Sequence, residues 1–192
     1  MLKWRAVLCL TVGRDQAALA CFDRLLQRRP LDRHALASRA HVLAKMARYD
    51  AAIASLQQFT TAWPREAAGW FNLGFVLQRA GRHDEAGTAF LYALARDARL
   101  DRAWYGLALV LMQHRQFLQA LEALKQNTAL QPLSPHGWYR MVQVRLALGQ
   151  PEEARKLLEH LRRFEPRVAA QLESETGLNR VTATGAVCDA TH

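Results

Sequence analysis

The chain has 192 residues, of which 51% are hydrophobic and 22% are charged, and its formal net charge is +9. This composition excludes a disordered chain and is typical of a globular protein that needs no disulfide or metal to hold its core. Alanine and leucine supply 63 residues, whereas glycine and proline supply only 16, which argues against an all-β fold.

The first predicted element is a short amphipathic helix at the start of the chain. A basic segment, residues 1–5, leads into an apolar run of only seven residues, Ala6 to Val12. This run meets Gly13-Arg14-Asp15 without a small-residue cleavage pattern, which argues against a secretory signal. No later stretch approaches the roughly 20 apolar residues needed to cross a bilayer. We therefore expect a soluble, cytoplasmic protein.

From this point the sequence repeats with a period of 34 residues. A turn position recurs at Gly13, Ala47, Gly81, Arg115 and Gly149. A small residue recurs at Ala18, Ala52, Ala86, Ala120 and Ala154. A large apolar residue recurs at Phe22, Leu56, Phe90, Leu124 and Leu158. A proline recurs at Pro30, Pro64, Pro132 and Pro166, with Ala98 in the remaining place, and a large residue recurs at Leu36, Trp70, Trp104 and Trp138.

These columns predict pairs of antiparallel helices. Leucines follow Trp70 and Trp104 at spacings of three and seven, which places them on one apolar face of a first helix, whereas Met141 and Arg145 follow Trp138 at these spacings. The recurring alanines allow the second helix to approach closely, so that larger neighbours interlock. Acidic residues after the turns, such as Asp84 and Glu85, are typical of the first turn of a helix.

The segment from Trp70 to Ala98, with W-x2-L-G-x2-L, a turn glycine and A-x3-F-x2-A, resembles the tetratricopeptide repeat. The resemblance implies an all-α fold, a right-handed α-solenoid of stacked antiparallel helix pairs over residues 1–175. Residues 1–32 form a partial repeat with a shortened first helix. Four complete repeats follow at 33–66, 67–100, 101–134 and 135–168. Residues 167–175 form a capping helix, and residues 176–192 are predicted to be a disordered tail.

The RNA-reading pentatricopeptide repeat is excluded because its period is 35 residues, and the columns would drift out of register. Four residues depart from the expected pattern: Arg39, Ala98, Arg115 and Arg145. They leave local packing open, but not the fold.

In proteins of this resemblance, the first helices line a concave groove whose outward positions bind a partner. Those positions carry aromatic residues, a methionine and cations, and no carboxylate, which favours a protein segment with apolar and acidic residues. The candidate groove residues are His34, His41, Phe71, Asn72, Phe75, Arg79, Arg102, Tyr105, Met112, Tyr139 and Arg140. The three tryptophans are interpreted as packing residues.

Some relatives of this repeat hold a C-terminal carboxylate with a clamp of Lys, Asn, Asn, Lys and Arg. Asn72 and Arg102 stand at the third and fourth clamp positions, but the other three positions hold Ala37, His41 and Gly106. The sequence therefore does not favour a carboxylate clamp.

The positive charge is concentrated in residues 1–66, which carry 11 basic and 5 acidic side chains. A candidate basic patch consists of Arg24, Arg28, Arg29, Arg33 and Arg39. Such a patch suits nucleic acid or another polyanion, yet no motif that reads nucleic acid accompanies it, and a solvated arginine-rich face explains the charge as well.

The sequence lacks the common motifs of catalytic chemistry, with no phosphate-binding glycine loop, G-x-S-x-G or H-E-x-x-H. Cys9, Cys21 and Cys188 are odd in number and widely spaced, so we expect neither a disulfide framework nor a zinc site. We expect no cofactor and no metal. The function predicted is a non-enzymatic adaptor that binds a protein segment. An accessory factor that binds nucleic acid and a homo-oligomer formed through the repeat faces stay open as alternatives.

Overall fold

The computed structural model describes residues 2–178. These residues form eleven α-helices and no strand. The helices are α1 (Leu2–Thr11), α2 (Asp15–Arg28), α3 (Arg33–Lys45), α4 (Tyr49–Ala62), α5 (Ala67–Arg79), α6 (His83–Leu94), α7 (Asp101–Gln113), α8 (Phe117–Leu130), α9 (Pro135–Ala147), α10 (Pro151–Phe164) and α11 (Pro166–Thr176). Consecutive helices pack as pairs, among them α1 on α2, α3 on α4, α5 on α6 and α9 on α10. The predicted fold class, an all-α solenoid of stacked helix pairs, is confirmed.

The turn between the two helices of each pair has a left-handed residue at the predicted column. The φ angles there are 74°, 58°, 77°, 57° and 70° for Gly13, Ala47, Gly81, Arg115 and Gly149. After α5, the N–H of Arg82 donates to the carbonyl of Leu77 at 2.9 Å, and after α3 the N–H of Arg48 donates to Leu43 at 2.8 Å. These bonds satisfy carbonyls at the helix end, in the Schellman manner.

The core includes the two columns that the period predicts. All five recurring alanines and all five recurring Phe or Leu residues are buried. Phe90 of α6 shows how closely the helices approach. A Cβ added to Gly106 of α7 would lie 2.5 Å from the Phe90 ring, and one added to Gly74 of α5 would lie 2.8 Å from it. The ring therefore requires glycine on both neighbouring helices.

Each of the three recurring tryptophans hydrogen-bonds its helix to the loop that precedes that helix. The indole N–H of Trp70 donates to the carbonyl of Pro64 at 2.9 Å, and that of Trp104 donates to Ala98 at 2.9 Å. Trp138 repeats the bond with Pro132 at 2.8 Å. Because the acceptor is a backbone carbonyl, alanine at position 98 serves as well as proline.

Two of the arginines that depart from the pattern have polar partners. Arg39 of α3 donates through Nε to Asp23 at 2.7 Å and through Nη1 to the buried Ser55 hydroxyl at 2.5 Å. Arg145 of α9 stands where leucine is expected and donates through Nη1 to Gln150 at 2.5 Å. Burial of these guanidiniums is thus partly compensated by hydrogen bonds.

The chain divides into two compact units, one up to His114 and one from Arg115, with the boundary in the turn between α7 and α8. Within the second unit, α11 packs on α9 and α10, and it buries Ala169 and Leu172. The predicted tail is wrong at its first three residues, since Thr176 ends α11, Gly177 caps it and Leu178 is buried. The rest of the predicted tail lies outside the described residues. The division into repeats stays a prediction.

Candidate partner-binding surface

The first unit contains a narrow groove between α3 and α5, which we name the α3–α5 groove. Its central pocket has a volume of about 80 Å³. It is lined by Ala37, Ala40, His41, Ala44, Leu56, Asn72, Phe75 and Val76. Three alanines on one face of α3 leave room for a side chain from outside. Phe75 is 45% exposed, a large apolar ring with water on one side.

A second, wider pocket of about 540 Å³ lies at the N-terminal ends of the same two helices. His34 and Asn72 line it, together with the carboxylates of Asp32 and Glu66. The Asp32 carboxylate accepts from the N–H of Ala35 at 3.0 Å, and Glu66 pairs with Arg33 at 2.8 Å. The predicted groove positions themselves hold no carboxylate, but the structure places these two acids beside them. Both acids stand at the N-cap positions of α3 and α5, and their 34-residue spacing was the available signal.

Phe71 and Arg102 belong to a stack rather than to an open surface. The Phe71 ring is half-buried and packs against Phe75 and Phe90, with centroid separations of 6.4 and 6.1 Å. The Arg102 guanidinium lies over the Phe71 ring, 4.9 Å from its centroid. This cation–π contact fixes Arg102 while leaving its side chain exposed. Phe75 is therefore the more accessible ring of the pair on α5.

The other predicted groove residues of the first unit also have intramolecular contacts. The His34 ring meets Phe22 edge-on at 6.5 Å, and Arg79 donates to the Tyr49 hydroxyl at 3.5 Å. Tyr105 and Met112 are half-buried on α7. His41 is exposed on α3 and lines the central pocket of the groove.

Tyr139 and Arg140 belong to the second unit. The Tyr139 hydroxyl donates to the carboxylate of Glu175 on α11, and Gln171 donates to the same carboxylate at 2.8 Å. The hydrogen bond to Tyr139 lowers the pKa of Glu175, and the same bond raises the pKa of Tyr139. Arg140 lies 5.8 Å from the Tyr139 ring centroid. Helix α11 thus occupies the hydroxyl of a predicted partner-binding residue.

The structure has few of the side chains that a carboxylate clamp requires. Asn72 is exposed, but Arg102 is stacked on Phe71. Gly106, at the fifth clamp position, is buried against the Phe90 ring and could not carry a longer side chain without displacing it.

The predicted basic patch is partly neutralised. Arg33 pairs with Glu66, and Arg39 pairs with Asp23 at 2.7 Å. Arg24 and Arg28 are exposed on α2, and Arg29 is exposed at its C-cap. The structure therefore leaves three of the five predicted cations, all on α2 or at its end, and weakens the case for a polyanion site.

Among residues 2–178, no three His, Cys, Asp or Glu side chains come together in a way that could hold a metal ion. In the same part of the chain, none of the helices combines the length and the apolar character that a membrane span requires.

Comparison with known proteins identifies the repeats. Residues 37–101 and 111–174 each match a family described as tetratricopeptide repeat. A search of curated proteins finds no match. The fold is similar to the crystal structure of the MamA protein, with a TM-score of 0.79 and 18% identity over 98% of this chain and 96% of that one. A tetratricopeptide repeat protein from Parabacteroides merdae ATCC 43184 gives 0.81 and 14% over 94% and 74%.

YrrB, described as a TPR protein with an unusual peptide-binding site, is similar with a TM-score of 0.75 and 18% identity over 88% of each chain. At these identities the likeness shows the fold alone. Together, the family matches extend over more than half of the chain. The chain belongs to the tetratricopeptide repeat family.

Proposed function

We propose that this protein is a non-enzymatic adaptor that binds a peptide or a short helix of a partner protein in the α3–α5 groove. The fold is that of a protein-interaction scaffold, because stacked repeats present extended surfaces for binding. The observation that carries the proposal is the pocket between the α3 alanines and the exposed ring of Phe75. A site of this kind accepts one apolar anchor residue in a small, desolvated space.

Polar groups beside the pocket suit the backbone of the bound segment. Asn72 lines both pockets of the groove and offers one acceptor and two donors. His41 lines the central pocket from the opposite helix. The anchor can therefore enter the pocket while the peptide backbone is hydrogen-bonded at its edge.

The groove has both signs of charge: Asp32 and Glu66 line its wider pocket, where Glu66 is paired with Arg33, and two exposed arginines nearby favour acidic residues next to the anchor. Arg79 is exposed at the last turn of α5, and Arg102 is exposed on α7 above Phe71. Such rim charges contribute more to association rate and specificity than to affinity. We expect a dissociation constant on the order of micromolar, or roughly 8 kcal/mol, because the segment must become ordered on binding. The peptide-binding description of YrrB agrees with this class of ligand.

The proposal is tested with peptides selected from a random display library against the wild-type protein. Their affinities are then measured for Phe75→Ala, which removes the exposed ring, and for Ala44→Leu, which fills the pocket. We expect each variant to weaken binding at least about tenfold. We also expect the selected peptides to share an apolar residue flanked by Asp or Glu.

The matched control is Leu91→Ala, which removes an exposed apolar side chain from α6 in the same unit. This variant should bind the peptides like the wild type. Peptides that retain their affinity for both groove variants would show that they bind elsewhere and would refute the groove.

A further inference from the structure

Helix α1 has an exposed apolar stripe on its surface. Trp4, Leu8 and Val12 are spaced by four residues, so they lie on one side of the helix and its C-terminal end. Their exposures are 81%, 65% and 64%. The other side of α1 is already used, because Ala6 is buried and Cys9 and Leu10 pack against the core of the first unit. Three large apolar side chains in a row exceed the scattered apolar residues of an ordinary surface.

The 34-residue period indicates which kind of element would pack against this stripe. Leu8 stands in one 34-residue column with four buried valines: Val42, Val76, Val110 and Val144. Val110 of α7 lies against α6, since its Cγ1 would be 3.3 Å from a Cβ added to Gly87. At this column position, the Val110 side chain therefore packs against the second helix of the preceding helix pair. Leu8 has the same position on α1, but it is exposed.

Charge next to the stripe selects the chemistry of a ligand. Arg5 is exposed and lies three residues before Leu8, at its edge on the same helix. Residues 1–33 hold seven basic and three acidic side chains. Pairing two copies of this region would bring like charges together, which is unfavourable, whereas carboxylates would be attracted.

We propose that the Trp4–Leu8–Val12 stripe binds an amphipathic helix of a partner protein, with Asp or Glu residues along the border of its apolar face. The helix packs on α1 as the second helix of a preceding repeat would. This surface is separate from the α3–α5 groove, and the proposal does not depend on what that groove binds.

The probe is a fluorescein-labelled, 18-residue synthetic helix with Leu and Ala on one face and Glu on both borders. A second peptide has the same apolar face with Lys in place of Glu. Fluorescence anisotropy with the full chain should give a dissociation constant on the order of 10 µM for the Glu peptide, and at least about tenfold weaker binding of the Lys peptide. Leu8→Ser should weaken the Glu peptide at least about tenfold. Arg5→Glu should weaken the Glu peptide and strengthen the Lys peptide.

Two controls separate this surface from others. Leu118→Ser removes a leucine that is 67% exposed on α8 and should bind the Glu peptide like the wild type. Because the α3–α5 groove also suits apolar and acidic residues, the measurements are repeated with Phe75→Ala as the background, in which Leu8→Ser should still weaken the Glu peptide at least about tenfold. Because Leu8 and Arg5 are exposed, thermal unfolding of their variants should match that of the wild type.

Failure of the Glu peptide to bind at about 1 mM, or equal binding to the wild type and Leu8→Ser, would overturn the proposal. Equal affinity of the Glu and Lys peptides would overturn it too. Light scattering that shows a wild-type dimer, dissociated by Leu8→Ser, would assign the stripe to a second copy of this chain instead.

Discussion

At the scale of single residues, the left-handed turn position shows how the repeat uses backbone geometry. Five turns adopt the same conformation, but only three have glycine, and Ala47 and Arg115 adopt positive φ angles of 58° and 57°. A Cβ in this region is strained by roughly 1–2 kcal/mol because it approaches the following carbonyl oxygen. The surrounding helix pair therefore holds these two residues in place at a cost.

We expect Ala47→Gly to stabilise the protein by about 0.5–1 kcal/mol, because relief of the strain exceeds the added entropy of the unfolded chain. The matched control is Ala54→Gly, an exposed alanine within α4, which should destabilise by about 1 kcal/mol. Urea denaturation measures both. Two glycine variants that destabilise equally would show that Ala47 is not strained.

At the scale of elements, side chains from one helix position its neighbour. The tryptophan indoles bond the loops before α5, α7 and α9, and the Tyr139 hydroxyl bonds α11 to α9 through Glu175. The hydrogen bond between Tyr139 and Glu175 depends on pH. Because the lowered pKa of Glu175 favours its charged form in the folded state, its contribution is complete above the ordinary glutamate value of 4.5. It is lost as the pH falls through the lowered pKa.

We therefore expect Tyr139→Phe to reduce stability near pH 7 and to have progressively less effect as the pH falls through the lowered pKa of Glu175. At alkaline pH the dependence runs in the opposite direction. Because the pKa of Tyr139 is raised in the folded state, the contribution of its hydrogen bond to stability is complete below the ordinary tyrosine value of 10.0. This contribution is lost as the pH rises through the raised pKa. Thermal unfolding over this pH range measures the difference from the wild type.

The control for this prediction is Tyr92→Phe on α6, an exposed tyrosine of the first unit that stacks on Trp70 at 4.7 Å. Its difference from the wild type should stay constant between pH 3 and 7. A difference for Tyr139→Phe that is equally large at both ends would contradict the role of Glu175.

At the scale of the whole molecule, stability in a repeat protein is close to a sum of local terms and nearest-neighbour terms. The two compact units have separate hydrophobic clusters. One includes Phe22 and Phe90, and the other includes Leu158 and Leu172. A change in one cluster should thus be felt first in the helices that share it.

We expect Leu172→Ala, which removes a buried side chain of α11, to destabilise by about 2–4 kcal/mol. Hydrogen exchange should show faster exchange in α9 to α11, while α3 to α6 retain their protection. Leu43→Ala, at a buried position of α3, should reverse the pattern. Uniform loss of protection in all described helices for both variants would mean a single cooperative unit.

The sequence by itself determined the period, the helix pairs, the turn positions and the buried columns. These features are determined by contacts within one helix pair or between consecutive helices. Because each column recurs five times in the sequence, it can be recognised even where one residue departs from it, as Ala98 does. The same repetition identified which residues face outward on the first helices, including His41 and Phe75.

Only the tertiary structure decided which outward residues are accessible. Arg39 is neutralised by Asp23, 16 positions away, and Tyr139 is bonded to Glu175, 36 positions away. Leu8, in a column of buried residues, is exposed on α1. The physical reason is that the charge and exposure of a side chain depend on the particular residues that a different helix brings to it. Those partners lie outside the repeating columns, where each repeat has its own chemistry.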